Sequence, residues 1–447
     1  MDDASPPALT AVAQRNARGF EPTGILLRVT TTRAAPDGVQ RHVVRTLVVA
    51  QMLGGVGMSA GVAVGALLAE QVSGSARWAG LGGTLQILGA AVIAIPMSRL
   101  MAARGRRPGL ALGYVLAAVG AVGLITAGLI GSFALLLVSS VLFGGATASN
   151  SQSRYAAADL ALPAHRARDL SIVVWATTVG SVLGPNLVGP SAPLARALGL
   201  PTLTGPYVFS LIGLLLTLGV VSLRLRPDPL LEARRRRIAE GDDSGPAHGS
   251  VSRGLRVVAG IPAARLGLAT LALGHVVMVS VMVMTPLHMA HGDAGLELIG
   301  LVISIHILGM FAFSPLTGMA VDRFGGRAVA VVGSVILSTA TLLASASPEG
   351  GSATLGLGLF LLGLGWSCTL VAGSTMLTAA VPAIERPGAQ GASDLVMGLV
   401  AGLGGALAGV IVDRAGFTVL ALVALGVAVV IGLVAALSAV RTHPSPA

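Results

Sequence analysis

Lysine does not occur in this chain. All 29 basic side chains are arginines, set against 19 carboxylates, and the formal net charge is +10. In a soluble protein that excess would point to nucleic acid; here the arginines sit between long apolar runs, and nucleic acid is set aside as a partner. Cysteine occurs once, at Cys368, which excludes an internal disulfide, and no C-x-x-C or His/Cys cluster offers ligands for zinc or haem, so neither a metal nor a cofactor is expected. No P-loop is present to draw energy from a nucleotide. Aromatic residues make up only 3% of the chain, too few for a site that stacks sugar rings. The opening Met1-Asp2-Asp3, followed by Pro6-Pro7, lacks the positive start and apolar core of a secretory signal, so the amino terminus is expected to stay on the side where it was made.

What is present is apolar: 54% hydrophobic residues, 61 glycines and a mean hydropathy of +0.84. A bilayer core of about 30 Å needs roughly 20 apolar residues per helix. Twelve charge-poor windows of that length emerge, at residues 46–70, 78–100, 109–131, 134–157, 170–190, 205–223, 266–288, 296–320, 328–346, 353–380, 391–412 and 417–440. They predict an all-α polytopic membrane protein of two pseudo-symmetric six-helix bundles, 42–225 and 263–441, with the lipid bilayer as its first partner. Around these lie a disordered leader (1–41), a basic linker (226–262) and a short tail (442–447). If the amino terminus is cytoplasmic, one face collects Arg15 to Arg45, Arg99 to Arg107, Arg154 to Arg168, Arg224 to Arg265, Arg323, Arg327, Arg386 and Arg441. The other keeps Arg77, Arg196 and Arg414. That bias is the positive-inside pattern of a plasma-membrane protein with both termini cytoplasmic. The linker run Arg226 to Arg237 suggests a short basic helix against anionic headgroups, serving as anchor and tether or as a lipid or partner site.

Two six-helix halves joined by a basic loop resemble the major facilitator superfamily, and most closely its bacterial drug:proton antiporters, over roughly residues 42–440. The family carries Gly-x-x-x-Asp-x-x-Gly-Arg-Arg between its second and third spans, sometimes repeated between the eighth and ninth. The second copy here is the fuller one, with Gly318, Asp322, Arg323, Gly325 and Arg327. The first keeps Gly105, Arg106 and Arg107 but has Ser98 for the glycine and Ala102 for the aspartate. The resemblance implies that this motif steadies one conformation by contact with the eleventh span. Asp394, near the start of that span, is expected either to cap it or to replace the missing charge by pairing with Arg104 or Arg106, while Asp322 pairs with Arg166 or Arg168. In the fifth span Gly180, Gly184, Pro185 and Gly189 are similar to the antiporter motif, with Val188 in place of one glycine; small residues and a proline make a packed, kinked hinge. Arg154, at the end of the fourth span, is assigned either to gating or to the headgroup surface.

Ionisable groups at membrane depth are expensive and default to functional candidates. No carboxylate falls mid-span, whereas His275 and His306 do; with Asp394 they are the candidates for proton coupling. Each histidine heads a stripe at helical spacing that includes Met282 in one case and Met310 in the other, and methionine suits a deformable wall. Gln51, Gln86 and Trp366 complete the candidate cavity, while Trp78, Tyr155 and Tyr207 read as interface anchors. The resulting expectation is a secondary transporter and not an enzyme: ill suited to a sugar or a permanent cation, it fits proton-coupled efflux of hydrophobic or amphipathic small molecules by alternating access, working as a monomer. Uptake or symport of a small metabolite is the alternative.

Overall fold

The computed structural model describes residues 38–62, 64–74, 78, 81–241, 247–294, 296–350 and 352–438; most of the expected leader and all of the expected tail lie outside them. Helices follow one another as α1 Gly38–Val62, α2 Gly65–Ser73, α3 Leu81–Arg104, α4 Arg106–Ile130, α5 Phe133–Ala158, α6 Arg166–Asn186, α7 Val188–Ala197 and α8 Gly205–Arg224. The linker contributes α9 Pro229–Ala239 and α10 Val251–Gly260, and the chain continues through α11 Pro262–His291, α12 Leu296–Phe311, α13 Ser314–Phe324, α14 Gly326–Ser345, α15 Ala353–Ala380 and α16 Arg386–Leu437.

Ten of these stretches are long and apolar enough to cross a membrane, and α6 with α7, bent by 60° at their junction, makes an eleventh. The 52-residue α16 leaves helical geometry at Gly416 (φ 84, ψ 168) and therefore holds two spans. Twelve spans result among the described residues. Both motif turns depend on a glycine in the left-handed region, Gly105 (φ 93) between α3 and α4 and Gly325 (φ 85) between α13 and α14, a conformation that a Cβ disfavours.

Two apolar cores form. One lies within α1 to α8, around Leu47, Tyr114, Phe143 and Leu214; the other gathers α11 to α16 around Leu271, Trp366, Leu370 and Phe417, and also takes in Tyr155, Ala167, Leu170 and Val174. Large apolar side chains such as Leu129, Leu223, Leu403 and Leu437 point outward, as acyl chains require and water would penalise.

The small residues of α1 serve two neighbours. Gly57 and Gly61 lie against Ser210, Gly213 and Tyr207 of α8, while Gly55 and Ser59 lie against Gly180 and Gly184 of α6. A Cβ at Gly180 would collide with the backbone of Gly55, and one at Gly184 with Ser59 and Ala60, whereas Gly189 has open space around it. The motif is thus a packing seam at its first two glycines and not at its last. Gly180→Val is expected to lose about 1–3 kcal/mol through overpacking and Gly189→Ala to be silent, a contrast that thermal unfolding in detergent measures directly.

Candidate functional site

A chain of buried polar groups crosses between the two halves at the arginine-rich end. Arg106, at the start of α4, is fully buried and its Nε and Nη2 donate to the Asp159 carboxylate at 2.7 and 3.0 Å. Its Nη2 also donates to Gln390 of α16 (2.6 Å) and its Nη1 to Gln152 of α5 (3.2 Å). Gln152 passes the connection on, its Nε2 donating to Asp394 at 2.6 Å. Arg154 donates to the other Asp394 oxygen at 2.8 Å, and the Tyr155 hydroxyl meets Ser393 at 2.9 Å. Every buried charge in this network has an opposite charge and hydrogen-bond partners, the condition on which buried ions are tolerated.

These contacts correct several sequence expectations. Asp394 pairs with Arg154 and not with Arg104 or Arg106, because the Arg106 guanidinium is already held by Asp159 of its own half. Asp394 also lies two turns inside α16, too deep to cap it. Asp322 accepts from the backbone N–H groups of Ala167 and Arg168 (3.0 and 2.9 Å), so it caps α6 instead of pairing with a guanidinium. Tyr155 and Tyr207 are buried, not interface anchors: the first is bonded to Ser393, the second sits edge-on to Phe143.

Directly above this network is a cavity of about 350 Å³ between the halves. Gln51, Arg154, His275, Met310, Trp366 and Asp394 line it, all of them candidates from the sequence. Gln86, Met282 and His306 do not; α3 offers Ile87, Ala90 and Ala91 instead, and α11 offers Val279. His306 is fully buried, with Nδ1 2.8 Å from the Leu359 carbonyl, to which it must donate. Its role in the structure is to join α12 to α15. Met58, Asn150, Thr177 and Met397 also line the cavity; no histidine marks the helix faces of Met58 and Met397, whose signal in the sequence is their place two turns from Gln51 and one turn from Asp394 on the same helices.

Several polar groups in the wall are held by a neighbouring side chain. Gln51 donates to Thr177 (2.9 Å) and Tyr114 donates to Asn150 (2.9 Å). Trp366 Nε1 donates to His275 Nδ1 at 2.9 Å, which fixes a neutral His275 with its proton on Nε2. Arg154 stacks over the Tyr155 ring at 4.6 Å, a contact wholly within its own half. The wall is therefore apolar and sulfur-rich, with one ion pair in its floor and an indole–imidazole pair at mid-depth. The remaining motif residues sit apart from it: Gly105, Arg107, Gly318, Arg323, Gly325 and Arg327 lie at the arginine-rich turns, and Gly180, Gly184, Pro185 and Gly189 lie along α6 and α7.

A sequence model of the family described as Major Facilitator Superfamily matches residues 46–299 and 292–447. The chain is 37% identical over 383 residues to the uncharacterized MFS-type transporter YddS of Bacillus subtilis, covering 86% of this chain and 87% of that protein. It is 28% identical over 355 residues to the riboflavin transporter RfnT of Brucella anthropi, covering 78% and 84%. Among solved structures it resembles the human organic anion transporter MFSD10, with a TM-score of 0.71 at 18% identity over 89% of this chain and 99% of that one.

The two arginines of the network differ in what their loss should do. Arg106→Ala strands Asp159, whose side chain is 1% exposed, and is expected to cost about 3–5 kcal/mol of stability; Arg106→Ala combined with Asp159→Asn recovers most of it. Thermal unfolding of the two variants in detergent tests the pair.

Proposed function

The chain belongs to the major facilitator superfamily, and from that premise we propose that this secondary transporter, a multi-pass membrane protein and not an enzyme, exports hydrophobic or amphipathic small molecules in exchange for protons, as a monomer. The arginine bias supports a plasma-membrane orientation with the arginine-rich face and both termini cytoplasmic. The observation that carries the reading is the Arg154–Asp394 ion pair, 2.8 Å long, in the cavity floor and shared between the halves.

Opening the arginine-rich face must pull that pair apart. Leaving a carboxylate buried without its partner costs several kcal/mol, and a proton on Asp394 removes the charge. Arg154 then keeps the Tyr155 hydroxyl and ring, which travel with it on α5. A proton reaching Asp394 from the far side thus favours opening toward the arginine-rich face. Its departure there, as substrate enters the cavity, lets the pair re-form behind the substrate and closes that face. Net exchange of proton for substrate follows. The methionines Met58, Met310 and Met397 supply an adaptable apolar wall, and the absence of a second carboxylate among the lining residues argues against a permanent cation. The Gly180 and Gly184 seam and the bend after it support the likeness to antiporters.

A second reading is favoured by the relative named as a riboflavin transporter: Trp366 and the amides of Gln51 and Asn150 would suit a planar, polar metabolite in the same cavity. Proteoliposomes and a fluorescent hydrophobic dye under an imposed pH gradient separate the two. Asp394→Asn is expected to reduce gradient-driven dye movement at least about tenfold, and His306→Ala, outside the cavity wall, to retain it. Unchanged dye movement with Asp394→Asn sinks the coupling assignment. A dye that ignores the gradient while a metabolite panel exchanges replaces the first reading with the second.

A further inference from the structure

The two motif copies meet the opposite half in related ways. On one side Gly318 of α13 faces Ser171 of α6, and Asp322 caps the N–H groups four and three residues before that serine, those of Ala167 and Arg168. On the other side the small and hydroxyl residues have traded places: Ser98 of α3 faces Gly391 of α16. Four and three residues before Gly391 stand Pro387 and Gly388. Proline has no N–H to cap, and the Gly388 N–H donates to the carbonyl of His248 in the linker at 3.0 Å. Ala102, where the family has its aspartate, supplies no acceptor.

The linker segment that supplies the carbonyl is built into both sides of the seam. Its His248 N–H donates to the Ile384 carbonyl at 2.6 Å, Arg253 clasps Glu385 with bonds of 2.6 and 2.9 Å, and Gly254 packs on the Gly388 backbone. These bonds attach it to α16. Reaching the other way, the Gly249 carbonyl accepts from the Ser98 hydroxyl at 3.0 Å, and its Cα lies against the backbone of Ser98 and Arg99. The earlier part of the linker is held by the first half, since Asp228 caps α4 through the N–H groups of Arg106 and Arg107 as well as starting α9.

We propose that residues 248–254 are a working part of the gate: their main chain takes the place of the carboxylate absent at Ala102, tying α3 to α16 while the arginine-rich face is closed and parting from α3 when it opens. Gly249 is glycine because a side chain there would push the segment off α3. This rests on alternating access alone and holds whichever way substrate moves.

Purified full-length protein in detergent, with Cys368→Ala and a Ser393→Cys reporter in the closed seam, tests it by the rate of maleimide labelling. Gly249→Val is expected to raise that rate about fivefold, the shift that follows from losing roughly one net hydrogen bond. Adding Ala102→Asp should bring the rate back toward the parent value, because a carboxylate on α3 would meet the positive amino-terminal end of α16 directly, without the linker between them; mere damage to the fold would not be reversed this way. Ser98→Ala, which removes only a hydroxyl, should give a smaller rise in the same direction and serves if Gly249→Val fails to fold. Rates equal to the parent in both variants overturn the proposal. A rise that Ala102→Asp leaves untouched overturns the claim that the linker replaces the carboxylate.

Discussion

A guanidinium sealed from water between helices must keep a negative partner within about 3 Å, and which half of the molecule supplies that partner decides what the pair does. Arg106 finds Asp159 on α5, in its own half. Its charge stays compensated however the halves move, and only the bond to Gln390 crosses. Arg154 finds Asp394 on α16, so its compensation exists in one arrangement of the halves and not in the other. Two ion pairs of similar length and burial thus have different consequences: the first holds a bundle together, and the second ties the relative position of the bundles to a charge state.

The cavity inherits its character from the same constraint. A 350 Å³ space with a single compensated pair in its floor presents little net charge, so what fills it is chosen by shape and apolar contact more than by Coulomb attraction. Three of its polar side chains are tethered, Gln51 by Thr177, Asn150 by Tyr114 and His275 by Trp366, leaving sulfur and aliphatic groups to adapt. Directional groups on rigid anchors and deformable groups between them give a wall that admits varied ligands without rearranging its hydrogen bonds.

Much of the fold was legible because the bilayer imposes a length and an apolar composition on every span. The twelve windows correspond to helical stretches, and departures such as the bend between α6 and α7 fall where proline and glycine cluster. Depth was legible in part: Gln51, His275, Met310 and Trp366 reach the cavity wall, and so do Arg154 and Asp394, which were expected at the helix ends. Direction was not. His275 and His306 both stand well inside consecutive helices, yet His306 faces Leu359 and His275 the cavity; stripe periodicity leaves the rotation of each helix about its axis open. Pairing was equally hidden, since the motif pointed to Arg104 or Arg106 as the partner of Asp394 and packing chose Arg154.

The linker shows the same limit from the other side. Its composition reads as polar tether, and nothing in His248-Gly249 marks the tie across the seam, because the bonds to Ile384, Gly388 and Ser98 are made by their main chain and any sequence has a main chain. What the sequence does record is the pattern of vacancies around them: an alanine where a carboxylate belongs, a proline where a donor belongs, and glycines at positions 249, 254, 388 and 391 where backbones must approach. A side-chain contact leaves its signature in the residues that make it. A main-chain contact leaves its signature in the residues cleared away for it, and so the α3–α16 seam can keep the geometry of the α6–α13 seam while carrying none of its charge.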